Sequence, residues 1–252
     1  MEKVLTGKKI LITRSAEKSE AAVSLLKENG AEVFFVHTNK IVPMDGYSKF
    51  NIYVKNLNEY SYIVFTSGNA VEYFLKKSGE IDLSKIKIAA VGKKTAQVCE
   101  ESGIEVDIVP DNFSAEGLIE KFKSVDPTNK KILIPGSAIS REELRNGLDG
   151  LGFDVDFIAV YDVAVPTKEE IMPDDCLIES ADIFAFTSPS TFNNFLSIFE
   201  IENVKDFFNK KILAVIGPTT ESALIQKGLH PKIVPDEFTM NGLTKKIIEY
   251  YT

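Results

Sequence analysis

Phe65-Thr66-Ser67-Gly68-Asn69-Ala70 runs from an apolar strand into a Thr-Ser-Gly turn and opens a helix, and Phe186-Thr187-Ser188-Pro189-Ser190-Thr191 does the same later in the chain. Thr66 and Thr187 stand 121 positions apart in a chain of 252 residues, close to half its length. An internal duplication accounts for that offset. Lys9-Ile10-Leu11-Ile12 returns as Lys131-Ile132-Leu133-Ile134 at an offset of 122. Three further pairs keep an offset of 125: Gly92-Lys93-Lys94-Thr95-Ala96 with Gly217-Pro218-Thr219-Thr220-Glu221, Val109-Pro110-Asp111 with Val234-Pro235-Asp236, and Gly117-Leu118 with Gly242-Leu243.

Outward from these anchors the chain alternates between short apolar runs and segments of helical period. Strands are predicted at 10–13, 33–36, 62–65, 88–91 and 106–109, and again at 132–134, 155–160, 183–186, 212–216 and 233–234. Helices fill the gaps, stopped at Asn29-Gly30 and Gly152 and started by a Ser140-to-Glu143 capping box and by Pro166-Thr167-Lys168-Glu169-Glu170. Pro43 argues against continuing a strand begun at Ile41, and the polar stretch that follows, to about Asn58, reads as a helix. Nearly unbroken apolar strands suit parallel sheets covered on both faces. The fold class is therefore α/β, two similar doubly wound parallel-sheet domains of the flavodoxin-like kind. The repeat alone leaves the boundary open, either at about residue 127 or at two connectors near 38–43 and 161–166.

Composition narrows the function. A formal charge of −8, without a basic stripe, argues against nucleic acid as a partner. No segment has the ~20 apolar residues of a membrane helix, and no signal-peptide stretch precedes the first strand, so a cytoplasmic location is expected. Cys99 and Cys176 lie in no metal-binding spacing and read as two buried thiols. With only His37 and His230 beside them, zinc chemistry is not expected.

In open parallel sheets ligands gather beyond the carboxyl ends of the strands, where helix starts offer unpaired N–H groups and partial positive charge. Those ends carry Thr13-Arg14-Ser15, Thr66-Ser67-Gly68-Asn69, Gly92-Lys93-Lys94-Thr95, Pro135-Gly136-Ser137, Thr187-Ser188-Pro189-Ser190 and Gly217-Pro218-Thr219-Thr220. Each taken singly is an ordinary helix cap. Six together point to a ligand bearing several carboxylates or phosphates. The chain contains no GxxxxGK[ST] loop, no GxGxxG after a strand and no GxSxG elbow, which removes the main nucleotide and serine-hydrolase readings. Tyr161 follows a strand inside a connector candidate, where a phenol either faces a ligand cleft or packs half-buried.

Ile12-Thr13-Arg14, Phe65-Thr66-Ser67 with Asn69-Ala70-Val71, Ala90-Val91-Gly92 with Thr95-Ala96, Ser114-Ala115-Glu116-Gly117-Leu118, Val160-Tyr161 with Pro166, Phe186-Thr187-Ser188-Pro189-Ser190 and Ile216-Gly217-Pro218-Thr219-Thr220 together resemble the uroporphyrinogen-III synthase family over essentially the whole chain. Gly68, where proline is frequent, and Gly136-Ser137 after Pro135 depart from the family pattern. The resemblance implies a chain that starts in one domain, builds the other whole and returns. The first domain would combine 1–37 with 166–252 and the second span 43–160, with 38–42 and 161–165 as a two-stranded hinge.

It further implies an active site in the interdomain cleft and a reaction that cyclises hydroxymethylbilane, a linear tetrapyrrole with eight carboxylates. The product is uroporphyrinogen III, formed with loss of water and inversion of ring D through a spiro intermediate, on the route to haem, sirohaem and cobalamin. By the same resemblance Tyr161 would assist the departing hydroxyl, by hydrogen bonding more than by full proton transfer, since a phenol is a weak acid at neutral pH. Arg14, Thr66, Ser67, Lys93, Thr95, Arg141, Ser188, Thr219 and Thr220 would hold the carboxylates, with Lys94 nearby. No metal or organic cofactor is expected. A monomer is expected, with transient contact to hydroxymethylbilane synthase as its protein partnership. The alternative from another class is a non-catalytic two-domain binding module for a small polyanion.

Overall fold

The computed structural model describes residues 3–14, 20–44, 48–128, 130–139, 142–171 and 175–252, with the side chains of 20–22, 48, 49, 175 and 176 outside the description. Its elements begin with β1 (Lys9–Ile12), α1 (Glu20–Glu28), β2 (Glu32–Phe35), β3 (Lys40–Pro43), α2 (Ser48–Lys55), β4 (Tyr62–Phe65), α3 (Gly68–Ser78), β5 (Lys87–Ala90), α4 (Lys93–Glu101) and α5 (Ala115–Phe122). There follow β6 (Lys131–Ser137), α6 (Glu143–Gly150), β7 (Asp154–Ala164), α7 (Lys168–Ile171), α8 (Asp175–Ser180), β8 (Ile183–Phe186), α9 (Pro189–Ile198), α10 (Val204–Phe207), β9 (Ile212–Val215), α11 (Pro218–Gln226) and α12 (Met240–Glu249). The chain forms two compact units, Met1–Lys40 with Ala164–Thr252, and Ile41–Val163.

In the first unit the strands lie in the order β2-β1-β8-β9, with parallel pairing throughout. Its central strands are apolar on both faces, and their side chains divide by the period of two. Leu11, Phe184 and Phe186 join one core with Phe192, Phe195 and Phe208. Ile10, Ile12, Ile183 and Ala185 join the opposite core with Leu26, Leu243 and Ile247. The second unit has the order β3-β7-β6-β4-β5. There Ile63, Phe65 and Leu133 face Phe74 and Val71, while Tyr62, Val64, Ile132 and Ile134 face Leu118, Phe122 and Leu148. Each unit is therefore a helix-sheet-helix sandwich, and each draws strands from both halves of the duplicated sequence.

Two local expectations, the strands at 106–109 and 233–234 and the turn after Pro135, are corrected. The strands expected at 106–109 and 233–234 shrink to single parallel bridges, Ala89 with Ile108 and Ala214 with Ile233. Pro110 and Pro235 follow closely and have no N–H to extend a ladder. The strand at Ile41 does not continue past Pro43: β3 is an edge strand that ends on the proline. Pro135-Gly136-Ser137 is the end of β6 and no turn, with a register shift between Gly136 and Ser137. Both connector stretches contain strand, β3 at Lys40–Pro43 lying beside the end of β7, and Tyr161 sits inside β7 opposite Ser137. The Ser140 half of the expected capping box lies outside the described residues, and α6 starts at Glu143 without a side-chain cap. Cys99 is fully buried and burial pushes its thiol up to about 11; the Cys176 side chain lies outside the described residues. Among the described residues no helix is long and apolar enough to cross a membrane, and no three potential ligands cluster for a metal ion.

Candidate functional site

Within the second unit, β4 delivers Thr66 and Ser67 to the start of α3. Ser67 takes extended backbone at φ −158° and ψ 156°, and its Oγ accepts a hydrogen bond from the Ala70 N–H at 3.1 Å. This is an N-cap, worth about 1 kcal/mol to the helix. The same Oγ lies 3.1 Å from the Tyr161 Oη. A hydroxyl oxygen has two acceptor lone pairs, so either hydroxyl of this pair can be the donor; with Ser67 donating to the phenol oxygen, the phenol proton is free to point elsewhere. Tyr161 is 8% exposed, and its ring centroid lies 5.8 Å from that of Tyr73 on α3. Strand, serine and neighbouring ring thus hold the phenol in one orientation.

The other candidates in this unit fall into distinct environments. Thr66 is half-buried and lines a cavity of about 330 Å³ together with Ser114, Glu116, Glu143 and Arg145. Two carboxylates in that lining make it a poor receptor for anions. Glu116 itself is held below the usual carboxylate range by a backbone hydrogen bond, then by Ser114 and Glu143. Lys93 is exposed at the start of α4, with its Nζ 5.6 Å from the centre of the Phe113 ring. Thr95 is buried beneath that start, so its hydroxyl is not presented at the surface. Arg141 lies outside the described residues.

In the first unit, Thr13 Oγ1 donates to the Ala185 carbonyl at 3.2 Å, and Thr187 Oγ1 donates to the Thr13 carbonyl at 3.2 Å. These bonds tie the ends of β1 and β8 together, and half-buried Arg14 follows directly. Ser188 caps α9 in a capping box with Thr191 and pairs its Oγ with that of Ser190 at 2.9 Å. At the start of α11, after Gly217 and Pro218, Thr219 is exposed and Thr220 is buried. The two threonines expected to act alike therefore differ, one reachable by a ligand and the other part of the core.

Two residues paired in the sequence by the offset of 125, but not among the expected site residues, stand at these same helix starts. Phe113 and Phe238 are 52% and 59% exposed. Their only sequence signal was the shared offset of 125, in the Val-Pro-Asp repeats that precede them.

Each unit is thus a doubly wound domain with polar caps and unpaired N–H groups at the carboxyl ends of its strands, the class of protein that receives an anionic small molecule there. Comparison with known proteins makes the class particular. The family model of uroporphyrinogen-III synthase HemD matches residues 20–245. A putative uroporphyrinogen-III synthase from Methanocaldococcus jannaschii is 32% identical over 246 residues, covering 95% of this chain and 97% of the relative. The uroporphyrinogen-III synthase of Chlorobaculum parvum is 28% identical over 250 residues, covering 96% and 98%. Among solved structures, the Helicobacter pylori uroporphyrinogen-III synthetase superposes with a TM-score of 0.59 at 17% identity, covering 96% of this chain and 99% of that one, a likeness of fold.

The chain belongs to the uroporphyrinogen-III synthase family. Its activity is accordingly that of a cyclising lyase of tetrapyrrole biosynthesis, which decides against the binding-module alternative.

Proposed function

We propose that the chain closes hydroxymethylbilane to uroporphyrinogen III and that Tyr161 assists the first step. The observation that carries this reading is the Ser67 Oγ to Tyr161 Oη contact of 3.1 Å, with Ser67 already engaged by Ala70. Departure of the terminal hydroxyl is driven by the lone pair of the ring A nitrogen, so the protein need only stabilise charge growing on the leaving oxygen. A phenol whose oxygen accepts from Ser67 donates a stronger hydrogen bond in turn. The azafulvene left behind is attacked by the substituted carbon of ring D. The spiro intermediate then reopens and closes at the other position, which inverts the ring, and loss of a proton restores the last pyrrole.

Unaided, the bilane closes to the symmetrical isomer, so positioning is the main task of the protein. The helix starts supply it. First-turn N–H groups of α3, α4, α9 and α11 are without intrahelical acceptors, as at any helix start. With Arg14, Lys93, Ser188 and Thr219 beside them, they suit acetate and propionate side chains. Thr95 and Thr220 act from beneath, by holding the turns in shape. In this reading the two units are the domains of the family, joined through the 38–42 and 161–165 segments. The protein works as a cytoplasmic monomer that receives its substrate from hydroxymethylbilane synthase.

The test is to incubate the purified chain with enzymatically generated hydroxymethylbilane, oxidise the products and resolve isomers I and III. Isomer III in excess is expected. Isomer I alone rejects the reading.

A further inference from the structure

We infer that Phe113 and Phe238 are aromatic platforms on which pyrrole rings of the substrate stack, one in each unit. This rests on the reading that the substrate is a linear tetrapyrrole.

Both residues are more than half exposed, yet neither is loosely held. Phe113 is the middle residue of a three-residue turn closed by the Ser114 N–H donating to the Asn112 carbonyl at 2.7 Å. Phe238 is the middle residue of the same turn in the other unit, with Thr239 N–H donating to Glu237 carbonyl, also at 2.7 Å. Such a turn fixes where its central side chain projects. Immediately afterwards Ser114 and Thr239 cap α5 and α12, anchoring the turn on its far side.

The rings also have a built seat. A Cβ placed on Gly92 would lie 3.2 Å from the Phe113 Cβ, and one placed on Gly217 would lie 3.1 Å from the Phe238 ring. Each phenylalanine therefore rests on the glycine that caps the helix α4 or α11, closely enough that any side chain there would crowd it. Single exposed apolar residues are common on protein surfaces and need no explanation. Here the same residue type, turn and glycine seat occur twice at a spacing of 125, beside the helix starts best suited to anions. The cores gain little from rings left half in water, so the reason for keeping them lies in what covers them.

The chemistry of the occupant follows from the neighbours. An exposed ring face takes a flat π system in an offset stack. The adjoining helix start, with Lys93 in the second unit, takes a carboxylate hanging from the edge of that system. A pyrrole carrying acetate and propionate arms meets both demands at once. Lys93 Nζ, 5.6 Å from the ring centre, is already near the position such an arm would reach. The first unit has Pro218 at the equivalent place, so its platform works without a cation there, with backbone N–H groups and the exposed Thr219 hydroxyl.

The experiment uses the full chain and hydroxymethylbilane generated in situ, with KM, kcat and the ratio of isomer III to isomer I measured for Phe113→Ala, Phe113→Leu, Phe113→Tyr and the same three changes at Phe238. Stacking of this kind is worth a factor of about two to ten in affinity. The alanine and leucine variants are expected to raise KM by about that factor and to shift product toward isomer I. Tyrosine, which keeps the flat ring, is expected to restore wild-type values within about twofold, and thermal midpoints should be unchanged. An unchanged KM in both alanine variants overturns the platforms, as does leucine restoring KM as well as tyrosine. So does a KM change that appears only with a lowered thermal midpoint. If the wild-type protein yields isomer I alone, the substrate reading itself has failed, and that outcome is distinct from wild-type isomer III with indifferent phenylalanine variants.

Discussion

The start of α3 and the start of α9 are two copies of one design that have been put to different use. In both, a serine in extended conformation caps the helix, through the Ala70 N–H in one and the Thr191 N–H in the other. Ser188 closes its hydrogen bonds on its own turn, with Ser190 and Thr191. Ser67 instead reaches across to Tyr161. The position 122 before Tyr161 is Asn39, and the position 121 before Asn194 is Tyr73. Where the second unit sets Tyr73 against Tyr161, the first sets Asn194 Nδ2 on Asn39 Oδ1 at 2.7 Å. Duplication preserved the scaffold and its anion-receptive helix starts, while the group suited to assist a leaving hydroxyl is present in one copy. In the proposed reading, binding is shared between the copies and chemistry is not.

The largest test of that asymmetry is at its two centres. Tyr161→Phe is expected to lower kcat by about ten- to a thousandfold, the range for losing a donor to a leaving group, with little change in KM. Asn39→Ala should leave kcat within about twofold. Equal losses at both positions, measured as turnover to isomer III, would erase the distinction.

Next come the glycines that the scaffold shares. A Cβ on Gly117 would meet the Asn112 carbonyl oxygen at 2.0 Å, and one on Gly242 the Glu237 oxygen at 2.1 Å. Gly117→Ala and Gly242→Ala should each cost about 1–3 kcal/mol, visible in urea unfolding, since backbone oxygens cannot step aside as side chains do. A marked loss at only one of them would mean that the copies are not structurally equivalent.

Ser67→Ala and Ser188→Ala should each weaken a helix start by about 1 kcal/mol. Only the first is expected to lower kcat, whereas the second should raise KM. Matched kinetics for the pair would detach Ser67 from Tyr161.

The last difference emerges only in alkali, at the opposite end of the second unit's sheet. Burial, and then the hydrogen bond it donates to Asp156 at 2.6 Å, raise the Tyr60 phenol above its ordinary 10.0. Its neutral form is thereby favoured in the fold. That contribution is complete below the ordinary value and is lost as pH climbs from there toward the folded value. By about pH 11 the loss is about 1 kcal/mol, and Tyr60→Phe should flatten the decline in a pH series of unfolding experiments. An unaltered slope would assign the alkaline loss to other groups.

Much of this was legible before any tertiary structure, and the reason is range. Lys9-Ile10-Leu11-Ile12 and Phe186-Thr187-Ser188 report their own strands and caps because apolar runs and N-caps depend on neighbours within a few residues. The caps at Ser67, Ser114 and Ser188 need no distant partner. The end strands failed for the complementary reason: Ile108 and Ile233 are apolar like the other strands, but whether a strand exists depends on the partner it pairs with. Among the candidate site residues, Thr219 and Thr220 have the same chemistry in sequence, and only packing separates an exposed hydroxyl from a buried one.

The sequence by itself determined the duplication, the parallel α/β class, the polar helix starts and, through its motifs, the family. The repeat left the boundary open and only the family resemblance implied a discontinuous first domain; the tertiary structure assembles each unit from both halves, β1 and β2 with β8 and β9, and β4 and β5 with β6 and β7. It also brought Tyr161 to Ser67 across 94 positions and left Phe113 and Phe238 standing in solvent. Contacts at such separation are fixed by which sheets close and which surfaces remain uncovered, and those are properties of the whole fold that no local period encodes.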